Sequence, residues 1–134
     1  MHPDYTKADN WSGKVIGTAI EVHKDKGPGL IESIYGKCLM WELELQRIPA
    51  GRQIVVPVEY KGYVLEEPLK LDIWVDQCLL LELKAVEKVL SVHKAQLMSY
   101  MKLLNAPLSL VINFNELTLA KGVARRILPG ANNT

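Results

Sequence analysis

Cysteine is scarce in this chain. Only Cys38 and Cys78 occur, inside the apolar stretches Cys-Leu-Met-Trp and Cys-Leu-Leu-Leu. They make neither a zinc pattern nor a disulfide framework, and two buried thiols in a reducing cytoplasm are expected. Long apolar runs are missing as well. The first ten residues are polar and lack the apolar core of a signal peptide. No later run reaches the length of a membrane span, so a cytoplasmic protein is the expectation. The third absence is an excess of charge of one sign: 16 Lys and Arg stand against 15 Asp and Glu, net +1. Nucleic-acid binders usually carry a marked basic excess, so any such contact must come from local patches, a dimer or a partner.

What is present is a globular composition, 49% hydrophobic over 134 residues. Such a chain buries about two thirds of its unfolded surface without a covalent staple. One domain over residues 1–134 is expected, with the tail from about residue 129 frayed. Residues 12–24 carry Val15, Ile16, Ala19, Ile20 and His23 at three- and four-residue steps, which predicts a helix. Gly27-Pro28-Gly29 breaks it. A second helix is predicted from about Ile31 to Gln46, stopped by Pro49-Ala50-Gly51. Strand character runs from Gln53 to Tyr60, turns at Lys61-Gly62 and continues over Tyr63–Leu65. Leu69–Val75 and Leu79–Val86 are stronger strands, Val92–Leu104 returns to helical spacing, and Leu108–Phe114 reads as a buried strand. The order α-α-β-β-β-α-β predicts an α/β fold. Its central mixed sheet has four to five strands flanked by helices, and the last helix makes a parallel crossover.

Side chains alternate faces along a strand. In the first strong strand Leu71, Ile73 and Val75 share one face, and Lys70, Asp72 and Trp74 the other. In the second, Leu79, Leu81, Leu83 and Ala85 share one face, and Leu80, Glu82 and Lys84 the other. Burying both apolar rows together requires an odd loop, most simply Asp76-Gln77-Cys78. Asp72 then faces Glu82, and Lys70 faces Lys84. Two facing carboxylates are unfavourable unless something positive joins them, and Mg²⁺ is held by one or two carboxylates plus waters. The alternative is a solvated edge hairpin whose acids are held by Lys70 and Lys84. On the following helix Gln96 and Tyr100 share a face, beside a packing stripe of Val92, Ala95, Met98, Met101 and Leu104. Gln96 is placed to bond Lys84 or an attacking water.

Asp72, then Glu82-Leu83-Lys84, then Gln96-Leu-Met-Ser-Tyr100 resembles the D…(D/E)xK…QxxxY signature of the RecB-like branch of the PD-(D/E)XK nucleases. Gly29-Leu30-Ile31-Glu32-Ser33-Ile34-Tyr35 resembles the motif of the small GxxExxY proteins of that superfamily. The likeness covers about residues 12–127. It implies a restriction-endonuclease-like core and metal-dependent hydrolysis of phosphodiester bonds, in DNA more than RNA. Under it, Asp72 and Glu82 hold Mg²⁺ or Mn²⁺ with the backbone carbonyl of Leu83, and Glu32 completes the metal site. Lys84 orients water and stabilises charge on phosphorus. Gln96 and Tyr100 position Lys84 and the nucleic-acid backbone, with Tyr35 and His93 as further substrate contacts. Leu71 stands where the name-giving proline of the superfamily is found. The competing expectation is a non-catalytic accessory subunit that binds nucleic acid or protein. A homodimer or a protein partner is also expected, anchored by Trp11, Trp41 or Trp74 where exposed.

Overall fold

The computed structural model describes residues 1–133. Helices α1 (Tyr5–Lys26) and α2 (Glu32–Leu45) come first, then strand β1 (Ala50–Val56) and a short hairpin, β2 (Glu59–Tyr60) and β3 (Tyr63–Val64). A longer hairpin follows, β4 (Leu69–Val75) and β5 (Leu79–Lys84). Helix α3 (Ser91–Leu104), strand β6 (Leu108–Asn113), a 3-10 turn (Leu119–Gly122) and β7 (Val123–Ile127) complete the order. Five strands form one mixed sheet, β1-β4-β5-β6-β7. Strands β5 and β6 run parallel across the α3 crossover, and the other neighbours are antiparallel. This is the expected α/β architecture, a central sheet flanked by helices.

The pleat divides the core. From α1 and α2, Val15, Ala19, Tyr35, Leu39 and Leu43 pack on Ile73, Val75, Leu79, Leu81 and Leu83. On the other face, Leu97 and Met101 of α3 pack on Leu71, Leu80 and Val111. Strand β6 is buried at every position, Ser109 and Asn113 included, which accounts for its nearly continuous apolar run: helices cover both of its sides.

Several boundaries differ from expectation. Helix α1 starts at Tyr5, because fully buried Ala8 extends the stripe Ser12, Val15, Ala19 and Val22 backwards. The strand expected to reach Tyr60 stops at Val56, before Pro57, which has no N–H for a ladder. Beyond it β2 and β3 form a separate two-stranded sheet. On α3 Met98, Met101 and Leu104 pack as expected, with Leu97 at the centre of the cluster, whereas Val92 and Ala95 are exposed. Strand β7 was not expected. It is an edge strand whose Arg125 crosses to α1, 2.7 Å from Asp9 and 2.9 Å from the Ser12 hydroxyl. In the tail, where fraying is expected from residue 129, Ala131 is buried and its carbonyl accepts the His2 N–H at 2.9 Å. Thr134 lies outside the described residues. Cys78 is buried, but Cys38 is partly exposed.

Candidate active site

The β4–β5 hairpin closes through Asp76-Gln77-Cys78, with Val75↔Leu79, Trp74↔Leu80 and Ile73↔Leu81 in register. Past Ile73↔Leu81 that ladder stops. On the other side of β4, β1 pairs Arg52↔Ile73 and Ile54↔Leu71 but skips Gln53 and Asp72. Gln53 adopts φ 53°, a left-handed conformation that side chains rarely take. Both strands change faces at this rung. Ile73 and Val75 face α1 and α2, whereas Leu71 and Ile54 pack with the α3 cluster. Strict alternation therefore misplaced Leu71, which does not share a face with Ile73. Lys70 pairs with Val55 on β1, and no register sets it against Lys84. Released from the ladder, Asp72 turns its carboxylate onto β5, where Oδ2 accepts the Leu83 N–H at 2.7 Å.

Glu82 is half-buried beside it. Burial first, then contact with the Asp72 carboxyl and its charge, push the Glu82 carboxyl up to about 8; Lys84 opposes this and Glu32 adds to it. The ion pairs among the described residues are Lys7–Asp76, Lys24–Glu21, Lys26–Asp25 and Arg125–Asp9. Asp72 and Glu82 take part in none of them, so the hairpin is not a lysine-paired solvated edge.

Glu32 opens α2 and reaches the end of β5, where Oε1 accepts the Ala85 N–H at 3.2 Å. With Asp72 and Leu83 it lines a cavity of about 180 Å³. Ser33 and Gly36 of α2 and Arg52 and Gln53 of β1 complete the wall. These four were not anticipated, although Arg52-Gln53 is a polar interruption at the start of a β-branched strand. Tyr35 does not reach the cavity. It is fully buried, stacked on Phe114 with ring centroids 4.4 Å apart. Its hydroxyl donates to the Gly27 carbonyl and accepts the Leu30 N–H. The substrate contact expected of Tyr35 is thus replaced by a structural one: it fixes the loop that aims Glu32.

On α3 the Gln96 amide donates to the Tyr100 hydroxyl at 2.8 Å, rather than bonding Lys84. Burial, then the charge of Glu82, raise the Tyr100 phenol above its ordinary value, which brings this pair within the field of the acids. His93 Nδ1 accepts the Leu90 N–H at 3.0 Å and caps the first turn of α3, a local role. Of the tryptophans, Trp41 is 60% exposed, whereas Trp11 and Trp74 are partly buried against the core clusters.

No three His, Cys, Asp or Glu side chains form a ready metal cluster among the described residues. The donor set nevertheless fits a hard divalent cation. Asp72 raises the proton affinity of half-buried Glu82, and neither has an ion-pair partner within 4 Å among the described residues, a setting that a proton or a cation stabilises. A mixed sheet flanked by helices, with an aspartate on one strand of a hairpin and Glu-x-Lys on the other, defines the restriction-endonuclease-like class. The family model of the PD-(D/E)XK nuclease superfamily matches residues 9–127, and the chain belongs to that superfamily. No curated protein and no solved structure gives a significant match. PD-(D/E)XK nucleases generally use divalent metal ions, and nucleic acid is the substrate class the superfamily implies. No helix among the described residues is long and apolar enough to cross a membrane.

Proposed function

We propose that this chain hydrolyses phosphodiester bonds in nucleic acid, DNA in preference to RNA, with Mg²⁺ or Mn²⁺. We place it in the GxxExxY group of the RecB-like branch. The observation that carries the reading is the gathering of acids on β5: Asp72 accepts the Leu83 N–H, Glu32 accepts the Ala85 N–H, Glu82 precedes Leu83 on the same strand, and none of the three enters an ion pair among the described residues. A merely structural hairpin gains nothing from acids gathered in this way. Asp72 and Glu82 would hold the ion, aided by the Leu83 carbonyl and by Glu32. When bound, a divalent cation supplies Lewis-acid stabilisation of charge on the phosphoryl oxygens. Lys84, one residue beyond Leu83, would hold the attacking water and offset the charge of Glu82. Tyr100, oriented by Gln96, borders the acids from α3 and contacts the backbone of the strand being cut.

A second reading has one observation behind it. The net charge of +1 gives a polyanion little general attraction, which suits a non-catalytic accessory subunit. Trp41 and Leu45, exposed together on α2, are then the surface offered to a second copy or a protein partner. A cleavage assay on single-stranded, double-stranded and branched DNA and on RNA, with Mg²⁺ or Mn²⁺, separates the readings. Metal-dependent products that vanish in Asp72→Asn support the nuclease. Absence of products on every substrate favours the accessory subunit.

A further inference from the structure

A half-buried arginine stands in the wall of the cavity and enters no ion pair among the described residues. Arg52 of β1 lies level with Ile73, on the stretch of sheet that faces α2. Its guanidinium lies against Gly36 of α2: a Cβ there would sit 2.9 Å from Nε and 3.2 Å from Nη2. The bare Cα of Gly36 is what leaves the slot open. Asp72 and Glu32 line the same cavity, yet Arg52 enters none of the ion pairs of the described residues. A brace for the acids would lie within 4 Å of their oxygens. Instead, a planar fork of donors is held in orientation by packing and remains uncommitted, which is the arrangement for two-pronged recognition of an oxyanion.

We propose that Arg52, seated on Gly36, grips a phosphate of the substrate backbone beside Asp72 and Glu32 and sets where the strand enters the site. This assignment rests on the nuclease reading of the same cavity. The cavity, about 180 Å³, exceeds the volume of several waters and admits a phosphate group. The electrostatics call for such a cation. Asp72, Glu82 and Glu32 repel a polyanion, and the chain as a whole carries only +1. Lys84 offsets the acids at the end of β5, and Arg52 does so from β1 and α2.

The test is equilibrium binding of a fluorescent DNA oligonucleotide to the full chain over a series of salt concentrations, with Ca²⁺ replacing Mg²⁺ to hold back cleavage. Arg52→Ala is expected to weaken binding about tenfold or more and to lower the salt slope by about one. Arg52→Lys keeps the charge and the slope but loses affinity, because an ammonium cannot reproduce the fork. Gly36→Ala leaves every charge in place and dislodges the guanidinium, so its affinity falls toward that of Arg52→Ala while Ca²⁺ binding, followed by calorimetry, is unchanged. Wild-type affinity and slope in Arg52→Ala overturn the assignment. Should that variant not fold, wild-type affinity in both Arg52→Lys and Gly36→Ala overturns it equally. If wild type cleaves with Mg²⁺ while the Arg52 variants bind and cleave like it, the Arg52 assignment fails alone. If wild type neither binds nor cleaves, the nuclease reading falls with it.

Discussion

The two halves of the β4–β5 hairpin obey different rules. Near the turn, Ile73, Trp74 and Val75 pair in register with Leu81, Leu80 and Leu79, and the pleat sends alternate side chains into the two core clusters. Toward the open end the same strands carry Asp72, Glu82 and Lys84; the ladder lapses, Gln53 takes a left-handed backbone and Leu71 changes faces. Burial specifies the first half, since a one-residue slip would expose its apolar row. The second half forgoes ladder bonds and sets two acids in contact. Local irregularity of this kind is characteristic of functional sites.

The sharpest way to break the comparison is to damage the regular half. Ile73→Ala removes a fully buried side chain from the α1–α2 face, and is expected to cost about 2–5 kcal/mol of stability. Urea denaturation measures it, while divalent-ion affinity of the folded fraction should stay at the wild-type value. Lys84→Ala damages the irregular half instead. Lysine is not a metal ligand, so ion binding is retained while cleavage slows about a hundredfold. Single-turnover kinetics beside a metal titration separates the two. Equal loss of both would place Lys84 in the folding of β5 rather than in the chemistry.

The regular half was legible in the sequence, because alternating Leu79, Leu81 and Leu83 against Ile73 and Val75 requires an odd loop to bury both rows, most simply the three residues found. Parity set Asp72 opposite Glu82, but the ladder stops at Ile73↔Leu81 and Asp72 instead accepts the Leu83 N–H. The face change at Gln53 and Asp72 was not legible, because an apolar residue at position 71 satisfies either cluster and parity cannot tell which helix covers it. Arg52 was hidden for a related reason: its seat depends on Gly36, 16 positions away in the sequence, and on how α2 crosses β1. Tyr35 shows the converse. The motif that contains it brings Glu32 to the wall of the cavity, whereas Tyr35 is bonded to the loop before α2. The β7 edge carries two adjacent arginines and too little apolar alternation to declare itself as a strand.

A smaller effect sharpens the contrast through pH. In the folded chain the Glu82 carboxyl is raised to about 8, against an ordinary value of 4.5. The folded state therefore binds that proton more tightly than the unfolded state. The stability it contributes is fully present below about 4.5 and is lost as pH rises through about 8. Melting temperatures in EDTA should fall over this window, and Glu82→Gln, which cannot ionise, should flatten that fall. A divalent ion must displace the same proton, so its apparent affinity should climb with pH across the same range. A wild-type profile that is level or rising from pH 5 to 8 would mean that the two carboxyls are not in contact.

The smallest expected effect concerns Asp72 without metal. Its Oδ2 is the acceptor for the Leu83 N–H at 2.7 Å, and Leu83 is only 3% exposed. Asp72→Asn keeps an oxygen for that donor and removes a charge from beside Glu82. Its stability should stay within about 0.5 kcal/mol of wild type, or rise slightly. Asp72→Ala leaves the N–H without a partner and should cost about 1–3 kcal/mol. The Asn variant should also shrink the pH dependence assigned to Glu82 without abolishing it. It removes the contact with the Asp72 carboxylate and its charge, whereas burial, the leading cause of the shift, remains. Urea melts of both variants in EDTA at two pH values decide the matter. If Asn proves as costly as Ala, the negative charge itself holds β4 to β5, and Asp72 is a structural brace before it is a ligand.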